Sequence, residues 1–345
     1  ILMKKRIAIV VGVFLLALGL YMVRTYVRFT GANVATHLPD PILTIPTGST
    51  FDVVVDSLVS GGFLKNESSF RELAGLKGFG DDEVRPGMYH IKAGWSNRHL
   101  LNHLLAGPQA EVRMVLNGAR LPEDVAARAA RYLEIDSTDI LTLITNAEVL
   151  EKYGIEPIEL MCTFIPNSYH FFWTTSAEGF LKRMIRERDN FWSRENRRGN
   201  AERIGLTPCE VMTLASIVEK ETLVSSERPR VAGLYLNRLK KGMRLQADPT
   251  AVFATRDFAA RRVLNRHISF DSPYNTYLYP GLPPGPICMP SIQSIDAVLN
   301  AEQHDYLFMC AKPGNSGLHA FAKSHRAHSR NAAKYRAWLN SQGIR

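Results

Sequence analysis

Cysteine is scarce in this sequence of 345 residues, and the four that occur lie far apart, at Cys162, Cys209, Cys288 and Cys310. No CxxC pair is present, which argues against a zinc ribbon and against a redox motif of the thioredoxin type. We expect the four thiols to be buried and free. Disulfides are the alternative in an exported protein, although the spacing selects no pairing.

The sequence also lacks a compact run of lysine and arginine with interleaved aromatics. Nucleic acid is therefore not an expected partner, despite the formal charge of +9. Internal repeats and low-complexity tracts are not visible. A composition of 46% hydrophobic and 22% charged residues is typical of a globular protein, and the length suggests two domains. The positive charge also suits an anionic lipid or an acidic polymer.

Long hydrophobic runs are missing except at the N-terminus, where residues 7–23 carry no charge. At 1.5 Å per residue this run spans roughly 26 Å, near the short limit for crossing a membrane. Basic residues at 4–6 favour a cytoplasmic tail (1–6), with the remaining mass outside the cytoplasmic membrane. A cleaved signal peptide is the alternative, but no small-x-small site directly follows the run. We predict an anchor at 7–23 and a linker at 24–40.

A small module is predicted at 41–109. Its pattern indicates the order β-α-α-β, followed by a further helix. The predicted segments are a strand at Ile42–Pro46, a helix from Thr50 to Val59, a helix at Glu67–Leu76, a strand at Gly87–Ile91 and a helix at Asn97–Leu105. This order resembles a LysM-type glycan-binding module. A spacer domain without sugar contact is the alternative.

Residues 110–345 are predicted to form a larger domain. Helical and strand patterns are mixed there without regular βαβ alternation, so we predict the α+β fold class. The segments 305–311 and 318–322 flank PGNSG and predict a hairpin.

The best-defined helix of this domain is predicted to begin after Thr207. Pro208 suits the first helical position, and Glu210 stands three residues after Thr207, as in a capping box. Around the helix, Glu219 lies at the edge of the apolar arc, whereas Glu221 lies roughly on the opposite side. Glu219 is therefore the acid expected to be half-buried, and desolvation would raise its pKa towards the range useful for an acid catalyst. A surface glutamate paired with lysine is the alternative.

Several motifs occur in one order: ASIVEKET (Ala215–Thr222), LNRL (Leu236–Leu239), GMRLQADPT (Gly242–Thr250), SPYNTY (Ser272–Tyr277), GLPPGPI (Gly281–Ile287) and GLHAFA downstream. Together they resemble the endolytic murein transglycosylase family, also called YceG-like or MltG. The resemblance implies a membrane-anchored lyase that cuts peptidoglycan glycan strands, with Glu219 as catalytic acid. We expect no cofactor and no metal, and peptidoglycan synthases are the expected protein partners.

The implied chemistry needs one carboxyl group. Glu219 would protonate the glycosidic oxygen between N-acetylmuramic acid and N-acetylglucosamine. The carboxylate would then accept the proton of the muramyl 6-hydroxyl, which attacks its own anomeric carbon and leaves a 1,6-anhydro end. Proton transfer of this kind contributes about 10²–10⁴ in rate.

Polar and aromatic residues after the helix are the predicted substrate-binding set: Gln246, Asp248, Thr250, Tyr274, Asn275 and Tyr277. Asp248 is also the candidate second carboxylate of an ordinary hydrolase, which needs two. A non-catalytic scaffold that tethers wall machinery to glycan is a further alternative.

The chain departs from the family pattern at Met161 and Cys162, where many members carry a Glu-Gly pair, so no role of that pair is transferred. Three histidines, His319, His325 and His328, cluster near the C-terminus without fixed ligand spacing or a carboxylate partner. We expect them to belong to a basic tail or to a rim for acidic stem peptides.

Overall fold

The computed structural model describes residues 2–260, 262–314 and 316–343. The predicted tail (1–6) and the predicted large domain (110–345) are therefore described without Ile1, Arg261, Asn315, Ile344 and Arg345, which lie outside the described residues. The chain divides into two compact units. One comprises 1–113, 132–134 and 170–175, and the other comprises 114–131, 135–169 and 176–345.

The chain starts with one long helix, α1 (Leu2–Thr30), which extends beyond both ends of the predicted anchor. The stretch Met3–Thr30 is long and apolar enough to cross a membrane, and none of its most apolar window is buried in the protein. An apolar stretch that is not covered by the protein leaves its side chains for another apolar medium, which is consistent with a membrane anchor.

The first unit then continues with the elements that the pattern predicts, in the same order. They are β1 (Ile42–Ile45), α2 (Phe51–Ser60), α3 (Glu67–Leu76), β2 (Gly87–His90) and α4 (Asn97–Ala106). A short 3-10 turn, Asp81–Glu83, precedes β2. Strands β1 and β2 pair antiparallel, with Ile42 opposite His90 and Ile45 opposite Gly87. The β-α-α-β order is present in the structure, while the likeness to a LysM module stays a prediction.

The remaining elements belong to the second unit, apart from the third and fourth strands, which are each divided between the two units. They are β3 (Glu111–Leu116), α5 (Pro122–Ala129), α6 (Ser137–Ile144), α7 (Ala147–Lys152), β4 (Asn167–Phe172), α8 (Ala177–Ser193), α9 (Arg197–Ile204), α10 (Pro208–Glu221), α11 (Arg228–Lys240), α12 (Asp248–Thr255), α13 (Asn265–Ile268), α14 (Ile292–Leu299), β5 (Phe308–Ala311), β6 (His319–Ala322) and α15 (His325–Ser341). Two 3-10 turns, Pro157–Thr163 and Ser225–Glu227, connect them. The mixed α+β class is confirmed.

The predicted hairpin near the C-terminus is present as β5 and β6. The two strands pair antiparallel, with Phe308 opposite Ala322 and Ala311 opposite His319. This register places the start of β6 beside the end of β5, where both strands contribute to the wall of a pocket described below.

Helix α10 forms the centre of the second unit. Its start is capped as predicted, because Thr207 Oγ1 accepts from Glu210 N (3.2 Å) and Glu210 Oε2 accepts from Thr207 N (2.7 Å). All residues from Val211 to Val218 are buried, and the helix packs against α11, α12 and α14. A helix enclosed in this way has protein on the side opposite its most apolar arc as well.

The expectation of four free thiols is wrong for two of them. Cys162 and Cys209 form a disulfide, across 47 residues of sequence, whereas Cys288 and Cys310 are free. The bond joins the 3-10 turn Pro157–Thr163 to the first turn of α10. Only the packing of these two segments brings the cysteines together, which is why their spacing could not select the pair.

Candidate active site

Two adjoining pockets meet at Glu221, the last residue of α10, and at Asp248, the first residue of α12. We name them the Tyr235 pocket, of about 300 Å³, and the Arg120 pocket, of about 400 Å³. The Tyr235 pocket is lined mainly by polar groups, among them Tyr235, Arg238, Gln246, Tyr277 and His319. Because both pockets share the two carboxylates, a substrate that fills both would cross them.

The environment of Glu221 raises the pKa of its carboxyl group to about 7. Burial is the largest cause, because it disfavours the ionised form, and the nearby negative charge of Asp248 acts in the same direction. A hydrogen bond from the Tyr235 hydroxyl and the positive charge of Arg238 lower the pKa but do not cancel the rise. A carboxyl group with a pKa near neutrality can both donate and accept a proton at physiological pH.

Arg238 fixes the loop that precedes α12. It is buried, and its guanidinium donates to the carbonyls of Arg244 (3.0 Å), Leu245 (2.7 Å) and Leu307 (2.7 Å). It also contacts Gln246 Oε1 at 3.4 Å. The backbone of Gln246 has a φ of +52°, a conformation that few non-glycine residues adopt, so the loop is held in one defined shape.

Asp248 and Tyr277 form a second polar pair at the pocket. The Tyr277 hydroxyl donates to Asp248 Oδ1. Burial, followed by this hydrogen bond, raises the pKa of Tyr277, so its hydroxyl stays protonated and remains a donor. The structure thus brings three predicted substrate-binding residues, Gln246, Asp248 and Tyr277, into one pocket with Glu221.

Glu219 has a different environment from Glu221. Its Oε2 atom accepts from Ser291 N (2.6 Å) and from Ser294 Oγ (2.9 Å). Ser291 is the N-cap of α14, so the carboxylate satisfies an N-H group at a helix start, where negative charge is favourable. Glu219 is not among the described residues that line the two pockets. Its assignment as the catalytic acid stays a prediction.

The other predicted binding residues lie elsewhere. Thr250 is buried and its Oγ1 bonds to Ala247 O (2.7 Å) and Thr276 Oγ1 (2.8 Å). Asn275 is also buried, and its Nδ2 donates to backbone carbonyls of His267, Ile268 and Phe270. Both side chains therefore stabilise the loops around the site.

Tyr274 packs against Phe253, with their ring centroids 4.8 Å apart, and lines a separate pocket. The structure does not bring this aromatic side chain together with Glu221.

Sequence reasoning missed Glu221, Tyr235 and Arg238 as site residues. A signal existed for Glu221, because it stands in the same EKET motif as Glu219. The helical projection placed it opposite the apolar arc, and on an enclosed helix that side also faces protein. Arg238 carried a comparable signal, because it stands in the LNRL motif (Leu236–Leu239), whereas Tyr235 lies on the same helix, α11, just before that motif.

The three C-terminal histidines separate in the structure. His319 lines the Tyr235 pocket, and its Nδ1 lies 2.7 Å from Oε2 of the buried Glu227, whose Oε1 accepts from His319 N at 2.8 Å. His325 and His328 lie on α15, where both rings contact Phe308. Among the residues that the structure describes, no group of three or more histidine, cysteine or acidic side chains is arranged to hold a metal ion.

Proteins of known family and structure are similar to this chain in sequence and in fold. The model of the YceG-like family matches residues 43–334. An endolytic murein transglycosylase of Bacillus subtilis (strain 168) is 30% identical over 312 residues, covering 85% of this chain and 84% of that protein. One of Streptococcus pneumoniae serotype 2 (strain D39) is 26% identical over 321 residues, covering 84% and 57%.

A crystal structure of a yceG-like protein from Listeria monocytogenes superimposes with a TM-score of 0.56 at 25% sequence identity, covering 84% of this chain and 98% of that one. The fold is therefore YceG-like. Sequence, family model and structure agree with the resemblance predicted from the motifs, and the chain belongs to the YceG-like family.

Proposed function

We propose that this protein is a lytic transglycosylase that cleaves peptidoglycan strands endolytically, between N-acetylmuramic acid and N-acetylglucosamine. The names of its relatives support this activity and substrate. The apolar helix α1 supports attachment to a membrane. The basic residues at 4–6 favour the cytoplasmic membrane with the second unit on its outer side. There it would meet newly made strands, and peptidoglycan synthases are the corresponding partners.

Within this activity, Glu221 is the carboxyl group that transfers the proton. One observation carries the assignment: the pKa of Glu221 is raised to about 7 at the meeting point of two pockets. Glu219 is the competing candidate from the sequence motif. Its Oε2 already accepts two hydrogen bonds from the protein's own donors at the start of α14, and among the described residues Glu219 lines neither pocket.

The reaction follows from these positions. Protonated Glu221 donates its proton to the glycosidic oxygen, and the bond to the muramyl anomeric carbon breaks. The Glu221 carboxylate then accepts the proton of the muramyl 6-hydroxyl, whose oxygen bonds to the anomeric carbon. The products are a 1,6-anhydromuramyl end and a free 4-hydroxyl on N-acetylglucosamine, and Glu221 is again protonated. Because the nucleophile belongs to the substrate, no second catalytic carboxylate is required.

The remaining polar groups of the Tyr235 pocket position the sugar. Tyr277 and Asp248 are held together by their hydrogen bond, and Gln246 is fixed by the loop that Arg238 organises. Amide, hydroxyl and carboxylate groups fixed in this way can bind sugar hydroxyl and acetamido groups with little loss of side-chain entropy.

A hydrolase is the second candidate, because Asp248 lies beside Glu221 and its charge contributes to the raised pKa. In that reaction Asp248 would activate a water molecule or attack the anomeric carbon. The two reactions differ in their products, since hydrolysis leaves reducing ends and transglycosylation leaves anhydro ends.

The experiment digests uncrosslinked glycan strands with the full-length protein in detergent and analyses the ends by mass spectrometry. Anhydro ends from the wild type, lost in Glu221→Gln and retained in Glu219→Gln, are the expected result. Reducing ends would support the hydrolase, and intact strands would support a non-catalytic scaffold. Loss of the anhydro ends in Glu219→Gln alone would support the assignment of Glu219 from the sequence motif.

A further inference from the structure

The Arg120 pocket differs from the Tyr235 pocket in charge and in the nature of its wall. Two cationic side chains, Arg120 and Lys220, contribute to it. Glu221 and Asp248 border it on the side of the Tyr235 pocket, and the rest of the wall is apolar and is formed by Pro249, Val252, Phe253, Phe258, Ala260, Val263 and Ile287. A neutral sugar ring needs hydroxyl and amide partners, so this combination suits a different part of the substrate.

The two cations are not used in ion pairs within the described part of the chain. The Arg120 guanidinium lies over the ring of Phe258, 4.5 Å from its centroid, a cation–π contact that helps to hold the side chain in place. Both charges also reach the same buried group, because Arg120 and Lys220 each act to lower the pKa of the Cys288 thiol, which burial raises to about 12. They therefore form one positive region.

Paired cations beside an apolar wall are suited to a carboxylate carried on an alkyl chain. A guanidinium can bind a carboxylate through two parallel hydrogen bonds, and an ammonium adds a point charge. In a peptidoglycan strand, such groups occur on the stem peptide, which is attached to the lactyl group of the muramyl residue. The glycan backbone itself contributes hydroxyl and acetamido groups.

We propose that the Arg120 pocket binds a free carboxylate of the stem peptide on the muramyl residue next to the cleaved bond, so that the enzyme selects strands with acidic stems. This inference rests on the proposed function. Glu221 and Asp248 border both pockets, so a stem in the Arg120 pocket would extend from a sugar located at the proton-transferring carboxyl group.

The test compares two substrates that differ only in charge. Uncrosslinked strands are prepared with native stems, and a portion is treated with carbodiimide and methylamine to convert the stem carboxylates to amides. The wild type should show a KM about tenfold lower on native than on amidated strands, as expected for one charge-assisted contact. In Arg120→Gln the KM ratio should fall to about one, with kcat on native strands within twofold. Lys220→Gln should show a smaller fall.

Lys240→Gln serves as the matched control, since Lys240 is exposed at the end of α11 and belongs to neither pocket. This variant should keep the wild-type KM ratio. An equal KM for both substrates in the wild type, or an unchanged ratio in Arg120→Gln, would overturn the proposal.

Binding without turnover separates this inference from the proposed function. Calorimetry with Glu221→Gln should detect a muramyl tripeptide with free carboxylates, and should show at least tenfold weaker binding of its amidated form. Substituting Arg120 in the Glu221→Gln background should remove that difference. If the wild type leaves strands uncut while the Glu221→Gln variant still prefers the charged tripeptide, the transglycosylase assignment fails and the stem site stands. Equal binding of both forms contradicts the stem site alone.

Discussion

The two sides of the last turn of α10 place two glutamates in contrasting surroundings. On one side, Glu219 faces the start of α14 and accepts hydrogen bonds from Ser291 and Ser294. On the other side, Glu221 borders two pockets, where burial and Asp248 raise its pKa to about 7. The two residues are two positions apart in the sequence and have the same side chain. The comparison shows that two identical side chains in one motif have different environments, and under the proposed function this difference selects Glu221 as the residue that transfers the proton.

The largest expected difference between the two sides is in activity. Glu221→Gln should lower kcat by about 10²–10⁴, because the amide cannot donate the proton. Glu219→Gln should keep kcat within about threefold of the wild type, since proton transfer does not involve it. Both variants are compared by the rate of release of anhydro ends, with circular dichroism as the control for folding. An equal loss of kcat in the two variants would contradict the assignment of proton transfer to Glu221 rather than to Glu219.

The next effect concerns the opposite end of α10. Replacing Cys162 and Cys209 by serine removes a crosslink between two residues that are 47 positions apart in the sequence. The free energy of unfolding should fall by about 4 kcal/mol according to the chain-entropy model. Urea denaturation of the oxidised wild type and the double variant measures this difference. Because the bond lies at the first turn, the pH profile of the remaining activity should not move, and a shifted profile would show that the bond also determines the environment of Glu221.

Much of this helix could be predicted from the sequence. Thr207, Pro208 and Glu210 define its start by local rules, and the structure confirms the capping box. The disulfide and the choice between the two glutamates depend on contacts with segments remote in sequence. Helical periodicity separates an apolar side from a polar one, and for α10 both sides face protein, so periodicity alone favoured Glu219.

The raised pKa of Glu221 also affects stability. The unfolded chain ionises this group near its ordinary value of 4.5, whereas the folded chain holds the proton until about pH 7. The contribution to stability is therefore fully present below about pH 4.5 and is lost as the pH rises to about 7. Over that window the wild type should lose up to about 3 kcal/mol relative to Glu221→Gln, which does not ionise. Denaturation of both proteins at several pH values measures the difference, and a constant difference would contradict the raised pKa.

Glu219→Gln should have a smaller effect on stability, about 1 kcal/mol, because a neutral amide accepts less strongly from the two donors at the start of α14. Thermal unfolding measures the loss, and Glu210→Gln, at the other capped end of α10, is a control of the same type. A large loss of activity at unchanged stability would instead indicate that Glu219 takes part in the reaction.

The smallest expected effect is a shift in the pH profile. Tyr235→Phe removes a hydrogen bond that lowers the pKa of Glu221. The alkaline limb of kcat/KM should therefore move to higher pH, by less than about one unit. Tyr274→Phe is the control, because Tyr274 lies outside the Tyr235 pocket. A downward shift in Tyr235→Phe would contradict the assigned hydrogen bond.

The most direct measurement is a titration of the Glu221 side chain itself. Protein labelled with carbon-13 at the glutamate carboxyl groups is followed by NMR from pH 4 to pH 9, and the Glu221 signal is identified by its absence in Glu221→Gln. A midpoint near 7 is the predicted result. A midpoint near 4.5 would contradict the claim that this carboxyl group holds the catalytic proton at neutral pH.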